Sequence, residues 1–193
     1  ALSSACMYIS RYAINSWGIF FLENQKAYSS VEASSIVAVS AVCGIVGTVL
    51  SGFLSDKLFK SNSVIPAVIF GICNAIAIAL FVLVPGGYYY IDIASMILFG
   101  LSIGVLICYL GGLMATDIAP KRASGAALGI VGIASYLGAG LQDIMSGQLI
   151  GDSKTMIDGI AVYDFSSIRY FWIGAAALSV LLCAMLWRAK KKS

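Results

Sequence analysis

Long apolar runs, broken by short polar connectors, organise this chain. The runs lie at about 2–22, 34–54, 64–84, 91–115, 123–150 and 168–187. Each is close to the ~20 residues that carry a helix across the hydrocarbon of a bilayer. Backbone N–H and C=O groups in hydrocarbon must pair within their own segment, so each run predicts an α-helix. The connectors hold the breakers: Lys60-Ser61-Asn62-Ser63, Pro85-Gly86-Gly87, Pro120-Lys121-Arg122 and the longer stretch 151–167. The ten-residue alternation of a membrane β-barrel is not there. The expected fold class is all-α: a polytopic membrane protein, one domain over residues 1–193 with six spans.

Composition agrees. Of 193 residues, 60% are hydrophobic and 11% charged, against about 25% charged in soluble domains. Charge then adds orientation. Lys57 and Lys60, Lys121 and Arg122, and the tail Arg188, Lys190, Lys191 and Lys192 fall on one side of the six spans. The other side holds Lys26, Lys154 and Arg169 among Glu23, Glu32, Asp92, Asp152, Asp158 and Asp164. Lys and Arg gather on the cytoplasmic side, so both ends of this segment are expected there. The net charge of +3 is a topology signal, and no nucleic-acid partner is expected.

Cys6, Cys43, Cys73, Cys108 and Cys183 are scattered over five runs, without CxxC spacing and without any histidine. They read as small packing residues, and no metal or other cofactor is expected. An enzyme would need a nucleophile, base or metal set, which the sequence does not offer. No cleavable signal is visible. The chain lacks an initiator Met and opens inside a run, so it is expected to be part of a longer protein.

Gly52-Phe53-Leu54-Ser55-Asp56-Lys57-Leu58-Phe59-Lys60 closes the second run. Gly52 would let a neighbouring helix approach. Asp56, one turn on, would meet a helix N-terminus or a basic residue, with Lys57 and Lys60 at the headgroups. This stretch resembles the loop signature of the major facilitator superfamily, G-x-x-x-D-[RK], which lies between the second and third helices of each six-helix half. Further residues resemble its organophosphate:phosphate antiporter branch: Tyr8-Ile9-Ser10-Arg11-Tyr12 with Trp17, then 117–125, then Tyr136-Leu137-Gly138. That branch includes glycerol-3-phosphate, hexose-6-phosphate and phosphoglycerate transporters and a hexose-phosphate sensor. The order of the matches implies the C-terminal six-helix half, with the N-terminal half absent from this chain.

Arg11 is the residue that most needs explaining. It lies about ten residues into its run, or roughly 15 Å along a helix, near the bilayer midplane. A charge there costs about 2.5–3.5 kcal/mol or more, and it normally faces a cavity or a partner. Asp143 in the fifth run could be that partner. Alternatively the planar guanidinium grips two oxygens of a phosphate. The resemblance implies the second role, shared with an arginine of the missing half. Tyr8, one turn earlier, lies on nearly the same face, and the resemblance places Tyr8 and Tyr136 at the site. Tyr12 is expected to point away. Where the glycerol-phosphate member has a tyrosine, this chain has Val105, with Tyr109 one turn on, which implies a different organic group.

Gln142 and Asp143 form a second polar pair. Asp143 could contact sugar hydroxyls, balance Arg11 or carry a proton. Asn15 and Asn74 are further candidates for the same cavity. Gly125-x-x-x-Gly129 has the spacing of close helix contacts and is expected to let the fifth span slide on a neighbour.

The resemblance implies exchange of a phosphorylated organic anion, such as hexose 6-phosphate, for inorganic phosphate by alternating access. The alternative is a sensor that binds hexose phosphate without transport. The implied partners are organic and inorganic phosphate, the lipid bilayer and the missing half, and the implied location is a bacterial inner membrane.

Overall fold

Every predicted run is helical in the computed structural model, which describes residues 1–55, 63–157 and 160–190. The helices are α1 (Leu2–Lys26), α2 (Ser30–Phe53), α3 (Val64–Leu83), α4 (Tyr89–Cys108), α5 (Met114–Ile118), α6 (Ser124–Asp152) and α7 (Ser166–Lys190). The differences from the apolar runs have local causes. α2 starts at Ser30, four residues before its run, because Ser29 and Glu32 form a capping box. Ser29 Oγ accepts from the Glu32 N–H at 3.3 Å, and Glu32 Oε2 accepts from the Ser29 N–H at 3.0 Å. This pairing satisfies two N–H groups that a helix start leaves open. α1 continues past Leu22 to Lys26 and ends where Ala27 turns left-handed at φ 57°. A five-residue π-helical segment, Tyr109–Leu113, joins α4 to α5. The stretch 151–167 is not all loop: β1 (Thr155–Ile157) and β2 (Ile160–Val162) pair antiparallel, with Thr155 opposite Val162.

Five of these spans are long and apolar enough to cross a membrane. α1 is long enough at 25 residues, but its polar side chains keep it out of that group. Its place in the bundle explains how it is tolerated. α1 packs on α2, α6 and α7, while α4 packs on α2 and α3, and α3 on α7. Met7, Ala13, Ile14, Phe21 and Leu22 of α1 are fully buried. Protein, more than lipid, solvates this helix. Serines tie it in place, since hydroxyls bridge helices well where water is absent. Ser3 donates to Ser179 O and Ser179 to Ser3 O, at 3.0 and 2.9 Å, linking α1 to α7. Ser4 and Ser135 hydroxyls, 2.7 Å apart, link α1 to α6.

The close contact between helices is not where it was expected. Among the described residues, a Cβ on Gly52, Gly125 or Gly129 would meet nothing within 4 Å. The α6 surface against α1 is instead built by Ser135, Gly138 and Gly147, with Gly138 seated on the Ala5 carbonyl. The tightest seam joins α2 and α4. There Gly100 and Gly104 lie on the Ser40 and Gly44 carbonyls, and Gly47 lies on the Leu101 carbonyl. Gly100-x-x-x-Gly104 has the same spacing as Gly125-x-x-x-Gly129, but it faces a partner helix. Gly104→Val will push α2 from α4 and destabilise the protein by about 1–3 kcal/mol, the range for overpacking. Gly129→Val, on the open side, will change stability little. Thermal unfolding in detergent compares the two, and equal effects would contradict this packing.

Asp56, Lys57 and Lys60 of the expected loop signature lie outside the described residues, as do Lys191 and Lys192.

Candidate functional site

Arg11 stands half-buried on α1, with its guanidinium carbon 5.4 Å from the Tyr8 ring centre and 5.8 Å from that of Tyr12. Tyr12 therefore does not point away, as expected, but stacks on Tyr8 at 6.1 Å. The two rings shield one side of the cation and supply cation–π attraction, worth about 0.5–1 kcal/mol each where the cation is not fully desolvated. Among the described residues, Arg11 makes no hydrogen bond and no ion pair. All its N–H donors remain available.

The guanidinium opens into a cavity of about 280 Å³ between α1, α2 and α4. This is just below the range of ligand pockets, about 300–1,000 Å³. Asn15 lines it from α1, Ser40, Gly44 and Thr48 from α2, and Gly100 and Gly104 from α4. The glycine seam thus also borders the cavity, with the Gly100 and Gly104 backbones as part of its wall. Sequence reasoning passed over these small residues. Their signal was the four-residue spacing Ser40, Gly44, Thr48 opposite Gly100, Gly104.

The remaining candidates separate into two groups. Tyr136 of α6 meets Tyr8 edge-on, with ring centres 5.6 Å apart, and is 63% exposed. Asp143 lies two turns further along α6 on the same side and is also exposed. It forms no ion pair with Arg11 among the described residues, so the structural-pair alternative for Arg11 is not what this chain adopts. Gln142, in contrast, is fully buried and donates to Ser146 Oγ at 2.8 Å, and Trp172 Nε1 donates to the same oxygen at 3.1 Å. It lies among α1, α6 and α7, away from the Arg11 cavity. Asn74 is buried too and donates to Ser10 Oγ at 3.3 Å. Val105 and Tyr109 are buried in α4 and the π-helical segment, where the Tyr109 hydroxyl donates to Ser51 O at 3.3 Å. Neither faces the cavity.

A second charged centre was not anticipated. Lys26 and Asp92, expected on the external side, form a buried ion pair at the end of the bundle away from the tail. Tyr28, in the linker 27–29, donates its hydroxyl to the other Asp92 oxygen at 2.8 Å. Loss of solvent first, then the hydrogen bond to Asp92, pushes the Tyr28 phenol up to about 12, so it remains a neutral donor at physiological pH. Lys26 Nζ also lies 5.2 Å from the Phe81 ring centre and 5.9 Å from that of Phe21. The charges suit the helix dipoles, a cation in the last turn of α1 and a carboxylate in the first turn of α4.

The sequence profile of the Major Facilitator Superfamily matches residues 1–142. Among curated relatives, the glycerol-3-phosphate transporter of Bacillus subtilis is 29% identical over 100% of this chain and 41% of its own length. A probable hexose phosphate transport protein of Chlamydia pneumoniae is 26% identical over 100% of this chain and 40% of its own. The membrane sensor protein UhpC of Escherichia coli is 32% identical over 70% of this chain and 30% of its own. The chain thus spans less than half the length of these relatives.

Proposed function

The chain belongs to the Major Facilitator Superfamily, and from that membership we propose that it forms one half of a secondary transporter for phosphorylated organic anions. The exchange partner is inorganic phosphate, and the organic anion is a sugar phosphate such as hexose 6-phosphate. One observation carries this reading: Arg11 sits midway along a largely buried helix, has no hydrogen-bond or ion-pair partner among the described residues, and faces a cavity. An unpaired cation is costly to keep in a membrane, so a functional anion is the economical explanation. A guanidinium fork fits two phosphate oxygens. Relatives named as glycerol-3-phosphate and hexose phosphate transporters support that choice.

The mechanism follows from charge. A second six-helix half would close the cavity and contribute a second cation. With the site empty, two unscreened cations oppose closure. A bound phosphate dianion neutralises them and lets the halves rock, opening the site to the other side. This gives exchange rather than leak. Tyr8 and Tyr136 border the anion and Asp143 lies on the same side of α6. The membrane is a bacterial inner membrane, with both ends of this segment and the Lys/Arg-rich connectors in the cytoplasm.

A sensor that binds hexose phosphate without transport is the second reading, favoured by the 32% identity to a membrane sensor protein. Proteoliposomes holding the complete protein and labelled internal phosphate separate the two. Efflux driven by an external sugar phosphate is the expected result. Binding without efflux would replace the transporter by the sensor.

A further inference from the structure

Arg11 is the one charged side chain among the described residues that line the cavity between α1, α2 and α4. Asn15 follows it by four residues, on the same face and about 6 Å further along the axis. Its amide is exposed to the cavity and makes no hydrogen bond among the described residues. It therefore offers both a donor and an acceptor. The other polar groups there are more limited. Ser40 donates its hydroxyl proton to Val37 O at 2.7 Å, and Thr48 donates to Gly44 O at 2.9 Å. Both hydroxyls are left as acceptors. The rest of the wall is glycine and apolar, including Phe99, Ile103 and Ile107.

This lining discriminates between kinds of phosphate ester. With the phosphate on Arg11, the organic group extends along the wall past Asn15. A hydroxyl there can donate to the Asn15 oxygen or the Ser40 and Thr48 oxygens, and accept from the Asn15 amide. A carboxylate there would meet no cation on this wall and, the single Asn15 amide donor apart, only acceptor oxygens, so its desolvation would go largely uncompensated. We propose that Asn15 hydrogen-bonds a hydroxyl of the organic group, and that the site takes the phosphomonoester of a neutral polyol in preference to that of a carboxylic acid. This rests on the reading of Arg11 as the phosphate ligand.

The test is equilibrium binding to the complete protein, with unlabelled ligands competing against labelled inorganic phosphate. The competitors are glucose 6-phosphate, its deoxy analogues and 3-phosphoglycerate. Glucose 6-phosphate is expected to bind at least about tenfold tighter than 3-phosphoglycerate, and one deoxy analogue to lose about tenfold, the effect of one hydrogen bond. In Asn15→Leu, the ratio of glucose 6-phosphate to inorganic phosphate affinity is expected to fall by about tenfold. Equal wild-type affinities for the two esters, or an unchanged ratio in the variant, overturns the proposal. Arg11→Ala tests the underlying reading separately: phosphate binding that survives it removes the premise, whereas binding lost there with the Asn15→Leu ratio unchanged removes Asn15 alone.

Discussion

Asp92→Ala will destabilise the protein by about 3–5 kcal/mol, the cost of leaving a buried charge without its partner. Asp92 is fully buried and accepts from both Lys26 and Tyr28. Its removal strands the Lys26 ammonium against the Phe21 and Phe81 rings, with the Lys26 side chain 1% exposed. Cation–π attraction of about 0.5–2 kcal/mol does not replace a carboxylate. The pair joins the end of α1 to the start of α4, and the turn between α3 and α4 rests on the same point, with Gly86 packed on the Lys26 backbone. Loss of the acid therefore loosens three helices together. Lys26→Met combined with Asp92→Leu removes both charges and is expected to recover most of the stability, because a buried ion pair gains little over an apolar pair of similar size. Unfolding of the single and double variants in detergent measures the coupling. Additive effects would show that the two residues do not act as a pair.

Arg11→Ala will do the opposite: it will abolish phosphate recognition and leave the fold intact. Each hydrogen bond to a charged group contributes about 1.5–3 kcal/mol. A two-point contact therefore corresponds to about 3–6 kcal/mol, at least a hundredfold in affinity. The fold loses little, because Arg11 forms no hydrogen bond or ion pair among the described residues. Only its contacts with the Tyr8 and Tyr12 rings disappear, and a charge is withdrawn from the middle of the bundle. Arg11→Lys keeps the charge but not the fork, and an intermediate affinity is expected. Phosphate exchange in proteoliposomes and thermal unfolding, measured on the same preparations, separate loss of function from loss of fold. A destabilisation as large as that of Asp92→Ala would mean that Arg11 holds the bundle together.

The helices were legible because hydrocarbon imposes one rule on every span, and the apolar runs mark where it applies. Arg11 was legible for the same reason, as a cost demanding an explanation. Pairings between helices were not. Nothing in the sequence says that Lys26 and Asp92, at the edges of distant runs, turn inward and meet. By position they looked like charges of the outer surface, and a sequence shows neither burial nor partner. The two four-residue glycine pairs were equivalent on paper, and only the packing of α2 on α4 distinguishes Gly100 and Gly104 from Gly125 and Gly129. The same holds at the site. Arg11, Tyr8 and Tyr136 come together, but Gln142 turns to Ser146 and Trp172, because a one-residue step along a helix changes its facing by about 100°. The Ser29–Glu32 capping box was readable from its spacing, yet the hydrophobic pattern starts later and sets the apparent boundary at Ser34.

The most direct measurement is titration of the complete protein with labelled inorganic phosphate, for wild type, Arg11→Lys and Arg11→Ala. Saturable binding in wild type, weakened in the lysine variant and lost in the alanine variant, is the predicted result. Equal binding by all three would contradict the account, since the cavity's cation would then not be what holds the anion.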